Sequence, residues 1–230
     1  DRVQQPEKEE IHLLLRASGQ NKRLLLNASA TGARLHFEPQ GKPNPPSPPI
    51  FCMILRKHLE GGRIESLAQD GLERVVTLTV QNYNEYGDLT TYRLILEIMG
   101  KHSNLVLVDA QGTILDGIKR YTHAVSRHRE ILPGREYVAP PSQGKLDPIR
   151  DEEQWVNLLL TESLTKRVSD LLVTRFAGVS PELATEIVAR AELPPDIRLE
   201  ECGDIDFSRM FQAYRELADP TAHPEIRPCL

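Results

Sequence analysis

Leu94, Leu96 and Ile98 alternate along one stretch, which breaks at Gly100 and resumes as Leu105 and Leu107. A period of two is the spacing of side chains on one face of a strand. Two such runs joined by a short glycine-containing break predict an antiparallel hairpin with one buried face. Reversal alone needs little more than Asn-Gly or Asp-Gly. This turn instead carries Lys101, His102, Ser103 and Asn104. A cation, an imidazole, a hydroxyl and an amide together predict a contact surface for a polar ligand, phosphate or a base edge.

The first part of the chain also reads as strand-rich. Ile11–Arg16, Arg23–Asn27 and Arg34–Phe37 are short runs parted by Ser, Gly and Asn, a predicted meander. Pro43, Pro45, Pro46, Pro48 and Pro49 make an extended connector. Phe51, Ile54, Leu55, His58 and Leu59 then fall at helical spacing and stop at Gly61-Gly62. Strands are expected over 63–69, 74–80 and 91–98, with a loop at 82–87, and further strands near Val106 and Ile114. Tyr137–Pro141 reads as an exit segment and Ser142–Pro148 as a linker.

From Asp151 the pattern turns helical, with one run at Trp155, Leu158 and Leu159 and another at Leu164, Val168, Leu171 and Leu172. Gly178 is expected in a left-handed conformation after the second run. Ser180 is a good N-cap and Pro181 suits the first helical position. Leu183, Ile187 and Val188 share a face, and Pro194-Pro195 ends the helix. This helix, Gly hairpin and helix resembles the helix-hairpin-helix unit, whose exposed helix N-terminal amides accept a backbone phosphate. Ser180 stands where a second glycine is usual, and a packed helical corner is the plain alternative. The organisation is therefore α+β, with a strand-rich domain at 1–148 and an all-α domain at 149–230.

Charge divides the same way. The net charge of −5 splits into +3 over residues 1–150 and −8 over 151–230. Lys119, Arg120, Arg127, Arg129 and Arg135 crowd against a single Glu130, a predicted phosphate-binding patch or a salt-bridged surface. Cys52, Cys202 and Cys229 are far apart and odd in number, which fits reduced thiols in a cytoplasmic protein. No CxxC spacing points to a metal, and no run approaches the ~18 apolar residues of a membrane span. The chain shows no secretory leader, and it opens on Asp1 rather than Met, as a piece of a longer protein would.

Nothing forms a catalytic set: there is no GxSxG, P-loop or dinucleotide fingerprint, and His102, His123 and His128 have no spaced nucleophile. The chain is expected to bind rather than catalyse, with no cofactor. Glu73-Arg74 is either a surface ion pair or a recognition pair, guanidinium to phosphate or guanine and carboxylate to a base amino group.

Several segments together resemble one family. They are Gln5-Pro6, Pro49–His58 with Glu60-Gly-Gly62, Gly71-Leu-Glu-Arg74, Glu97–Asn104, Asp116-Gly-Ile-Lys119, Leu132-Pro-Gly134 with Tyr137 and Pro140-Pro141, and Phe176–Pro181. In this order they are similar to the NFACT proteins, in particular the bacterial RqcH type, also known as fibronectin-binding protein A. The resemblance implies an NFACT-N domain, similar in fold to the N-terminal domain of formamidopyrimidine-DNA glycosylases, followed by a helix-hairpin-helix domain. It also implies a coiled coil, a C-terminal domain and an opening Phe-Asp-Gly segment outside this chain.

In function, the resemblance implies a factor of ribosome-associated quality control. Such a factor binds the large ribosomal subunit obstructed by peptidyl-tRNA and recruits alanyl-tRNA for untemplated alanine tailing. The family's Asp-Arg pair aligns with Glu73-Arg74, the acid one methylene longer. Glu73, Arg74, Lys101, His102, Asn104, Lys119 and Arg120 are the implied tRNA contacts, with neither DNA nor membrane as a partner. The alternatives are a fibronectin- or fibrinogen-binding surface adhesin and, from the glycosylase kinship, a repair enzyme. A start of Asp-Arg-Val without a zinc spacing argues against the latter.

Overall fold

A computed structural model describes residues 2–69, 71, 73–126, 128–141, 144–146 and 152–218. The chain divides into two compact units, Asp1–Asp70 with Arg74–Pro141 and Gly71–Glu73 with Ser142–Leu230.

The first unit is strand-rich. β1 (Arg2–Glu7), β2 (Glu10–Ala17), β3 (Gln20–Asn27) and β4 (Arg34–Phe37) form an antiparallel meander in chain order. Register sets Val3, Leu13 and Leu24 across one row and Ile11, Leu26 and Leu35 across another, so period two lines one face with apolar groups. β1 was not expected, because Gln4-Gln5-Pro6 shows no apolar alternation. After the proline stretch comes α1 (Ile50–Leu59), which buries Phe51, Cys52, Leu55 and Leu59. Asn82 holds its end, donating to the carbonyls of His58 at 2.9 Å and Glu60 at 3.0 Å. Gly62 is required here, since a Cβ would lie 2.8 Å from Val80 Cγ1 and 2.9 Å from the Gln81 carbonyl.

A second antiparallel sheet follows, again in chain order: β5 (Arg63–Gln69), β6 (Val75–Tyr83), β7 (Leu89–Glu97), β8 (Asn104–Val108) and β9 (Ile114–Gly117). β6 and β7 reach further than expected, so the predicted loop at 82–87 shrinks to residues 84–88. Asn84 makes that possible by accepting from the backbone of both Tyr86 and Asp88 at 2.9 Å. Leu78, Val80, Leu94, Leu96, Leu105 and Leu107 join the first sheet's apolar face and α1 in one core. A smaller cluster of Ile95, Val106, Val108, Ile114 and Ile131 lies on the other face of this sheet.

The second unit is helical: α2 (Glu152–Thr161), α3 (Val168–Arg175), α4 (Pro181–Arg190) and α5 (Asp204–Ala218). Trp155 anchors it, stacked on Phe176 with centroids 4.2 Å apart and flanked by Phe211 and Tyr214. Ser180 Oγ accepts from the Leu183 amide at 3.1 Å, and Gly178 has φ +73°. Leu164 departs from expectation: it lies before α3 and is 57% exposed. The expected linker also changes. Leu146 donates its N–H to Arg175 and accepts from Ala177 at 2.8 Å, so it belongs to the helical unit. Ser142, Gln143, Asp147 and Pro148 lie outside the described residues.

Candidate nucleic-acid interface

The turn between β7 and β8 closes through its own side chains. Gly100–His102 forms one turn of 3₁₀ helix, with Gly100 at φ +56°. The Met99 amide donates to Ser103 Oγ at 2.8 Å, and the His102 amide to the Met99 carbonyl at 3.0 Å. Ser103 is buried by this role. So is Asn104, whose Oδ1 accepts from Leu105 at 2.9 Å and Lys119 at 3.0 Å while its Nδ2 donates to the Lys119 carbonyl at 2.9 Å.

That corrects the expectation for half of the turn. The hydroxyl and amide hold the loop, because they are buried and spent on backbone groups rather than turned to solvent. Only Lys101 and His102 face solvent. Arg74 stands at the same end of the sheet: its carbonyl accepts from Ile98 at 2.8 Å, continuing the β6–β7 ladder one step past Val75 and Glu97. Arg74 is exposed, and among the described residues neither it nor Lys101 has an ion-pair partner. Glu73 is exposed and closes the short segment Gly71–Glu73 that is grouped with the second unit.

The basic run from Lys119 proves largely committed. Lys119 Nζ donates to the Ala28 carbonyl at 2.6 Å and lies 3.5 Å from Glu9 Oε2, which ties β9's exit to the first sheet. Arg120 forks onto the buried Asp116 carboxylate at 2.7 and 2.8 Å. Arg135 pairs with Glu130 at 3.1 Å. Arg129 is buried, its guanidinium bidentate on Glu97, with Nη1 to Oε1 at 2.7 Å. Tyr137 Oη donates to the same carboxylate at 2.8 Å. Burial alone would lower the Arg129 pKa, but the Glu97 hydrogen bonds and charge raise it. Burial, followed by the Glu97 charge, pushes the Tyr137 phenol up as well. Arg127 lies outside the described residues. Instead of a continuous patch, the sequence cluster supplies internal ties and one exposed fork, Arg120.

Two polar networks went unread in the sequence. One is Glu97 with Arg129 and Tyr137; its only signal was a charged residue among the apolar positions of β7. The other centres on Glu10, fully buried, which accepts from His12 at 2.9 Å, Asn27 at 2.8 Å and Lys42 at 3.0 Å. Lys42 also reaches Glu7 at 2.6 Å, fastening the Pro-rich connector to the first sheet. Among the described residues no group of three His, Cys, Asp or Glu side chains could hold a metal. Nor is any described helix long and apolar enough to cross a membrane.

Exposed and without an ion-pair partner among the described residues, Arg74 and Lys101 stand with His102 as a preformed polar corner at this end of sheet two. Free cations on a fixed backbone are the chemistry that phosphate and base edges require. Over residues 1–230 the chain matches the family described as NFACT N-terminal and middle domains, and it belongs to that family. It is 40% identical over 201 residues to the Rqc2 homolog RqcH of Bacillus subtilis (strain 168), covering 86% of this chain and 35% of that one. The chain thus spans about a third of the length of that relative.

Solved structures agree on the fold. The N-terminal domain of the fibronectin-binding protein PavA from Streptococcus pneumoniae superimposes with a TM-score of 0.74 at 38% identity, over 81% of this chain and 69% of that one. The N-terminal part of the fibronectin/fibrinogen-binding protein from Streptococcus suis gives 0.76 at 34%, over 92% and 76%. MutM (Fpg) from Thermus thermophilus reaches only 0.40 at 19% identity, too low to bear on fold or function.

Proposed function

We propose that this chain is the tRNA- and large-subunit-contacting part of a ribosome-associated quality-control factor. In this reading it works in the cytoplasm on large subunits obstructed by peptidyl-tRNA. It recruits alanine-accepting tRNA there for alanine tailing of the stalled chain. The protein positions tRNA, and the peptide bond is left to the ribosome, so it is not itself an enzyme. One observation carries the reading: among the described residues Arg74 and Lys101, at the end of sheet two that the braced turn closes, have no ion-pair partner, while Lys119, Arg120, Arg129 and Arg135 are each paired with a carboxylate. Kinship to proteins named Rqc2 homolog RqcH supports the same process.

Within this proposal Arg74, Lys101 and His102 touch tRNA directly, with Glu73 beside them in sequence and Arg120 at the margin. Lys119 and Asn104 act by holding the turn. The α3–α4 corner, with Ser180 capping α4, is a helix-hairpin-helix unit offering amides to a second stretch of backbone. The test is tRNA recovery and alanine tailing in cells carrying full-length Arg74→Ala or Lys101→Ala protein. Loss of both supports the reading, and wild-type tailing in both variants overturns it. A second reading, an adhesin for fibronectin or fibrinogen, draws on the names of the two streptococcal structures. It requires the protein outside the cell membrane, which fractionation decides.

A further inference from the structure

Only two of the six tyrosines are exposed, and they share one hairpin: Tyr83 at 64% and Tyr86 at 83%. Tyr92 and Tyr214 are buried, and Tyr121 and Tyr137 are partly so. In a chain with 5% aromatic residues, this hairpin carries two of the three exposed aromatic rings among the described residues, the third being Phe37 on β4. Tyr83 stands directly across from Leu89 in the β6–β7 register, and Leu89 is itself 54% exposed. The tip is fixed before any ligand arrives, with Asn84 bonded to Tyr86 and Asp88 and Gly87 at φ +86°.

The strand face behind the tip is polar and half-exposed. Alternation sends Leu78, Val80, Tyr92 and Leu94 into the core, so Thr79, Gln81, Tyr83, Leu89, Thr91 and Arg93 occupy the opposite face. Register adds Arg63 of the edge strand β5, beside Gln81. Ile114 and Ile131 close the β8 side of that face and leave the β5–β6–β7 side free. Arg63 and Arg93 have no ion pair among the described residues, Glu85 is paired with Lys57 at 3.2 Å, and Asp88 at the tip accepts from Asn84 at 3.3 Å and keeps its charge.

We infer that this face of the second sheet, Tyr83 with Arg63 and Arg93, binds a single-stranded RNA segment. The ring stacks on a base, the guanidinium groups meet phosphates, and Thr79, Gln81 and Thr91 supply hydrogen bonds. Charge complementarity selects the ligand: two arginines spaced along the same strand face as an exposed ring suit a polyanion with π faces. An acidic protein segment would leave the ring faces unused. The inference deepens the tRNA reading but stands on residues apart from Arg74 and Lys101, so each can fail alone.

The test is equilibrium binding of a 3′-labelled oligouridylate to the full-length protein over a salt series, with tRNA binding measured in parallel. Tyr83→Ala is expected to weaken oligouridylate binding about tenfold with little change in salt slope, as loss of one stacked base does. Arg93→Ala is expected to reduce the slope by about 0.7, one phosphate contact on a single strand. Both side chains face away from the core, and melting curves should match wild type. Wild-type affinity and slope in both variants overturns the inference, whatever Arg74→Ala does. Weakened oligouridylate binding in Tyr83→Ala and Arg93→Ala with unchanged tRNA binding in Arg74→Ala keeps this face and sinks the site at Arg74.

Discussion

Arg129→Met removes the counter-ion from a carboxylate that water cannot reach. The Glu97 side chain is 0% exposed and that of Arg129 6%. Breaking such a pair from one side costs about 3–5 kcal/mol, because the surviving charge is buried without compensation. The Tyr137 hydrogen bond is present before and after, so it does not offset the loss. At about 2–4 °C per kcal/mol for a protein of this size, the melting temperature should fall by roughly 6–20 °C. Removing both charges with Glu97→Leu and Arg129→Met should recover much of that, since an apolar pair of similar volume has no charge to desolvate. Urea unfolding followed by circular dichroism measures the loss. tRNA binding of Arg129→Met, taken well below its melting point, should keep the wild-type salt slope. A loss under about 1 kcal/mol together with a shallower salt slope would refute the assignment, because Arg129 would then be a surface cation.

Asn104→Ala strands the amides of Leu105 and Lys119 and the Lys119 carbonyl, and should cost about 2–4 kcal/mol, with faster hydrogen exchange at both amides. Unchanged exchange would contradict the bracing role. Ser180→Ala removes the α4 cap and should destabilise the helical unit by about 1 kcal/mol, with Ser180→Asp restoring it. For Glu10, burial opposes the charge, yet hydrogen bonds from Lys42, Asn27 and His12 outweigh it and hold the carboxyl below its ordinary 4.5. The folded protein therefore binds that proton more weakly than the unfolded chain does. The stabilisation is complete above the ordinary value and is lost as pH falls through the lower folded one. Glu10→Gln should flatten the acid limb of the stability curve below about pH 5, and an unaltered limb would contradict the network.

Much of the fold was written in local pattern. Short apolar runs placed β2–β4, period two placed the hairpin of β7 and β8, and helical spacing placed α1, because each element buries one face and its neighbours in sequence carry the signal. α5 was not expected, although it carries a stripe at Phe207, Met210, Phe211 and Tyr214. β1 does not, since its inward side chains are Val3 and Gln5. The site was harder to read. A lysine or arginine shows its charge in the sequence but not its partner. Arg129 finds Glu97 from 32 positions away and Lys119 meets Ala28 from 91 away. Asn104 looked like a donor to a ligand because nothing local reveals that the backbone at Lys119 folds against it. Arg74 and Lys101 were legible as cations, and the structure adds that among the described residues neither has an ion-pair partner.

If Arg74 and Lys101 bind tRNA phosphates or base edges while the buried basic residues do not, the salt dependence of tRNA binding to full-length wild type, Arg74→Ala and Lys101→Ala protein shows it. Each variant should bind more weakly and, where the contact is a phosphate, lose about 0.7–0.9 from the slope of log K against log salt. Wild-type affinity and slope in both variants would contradict it.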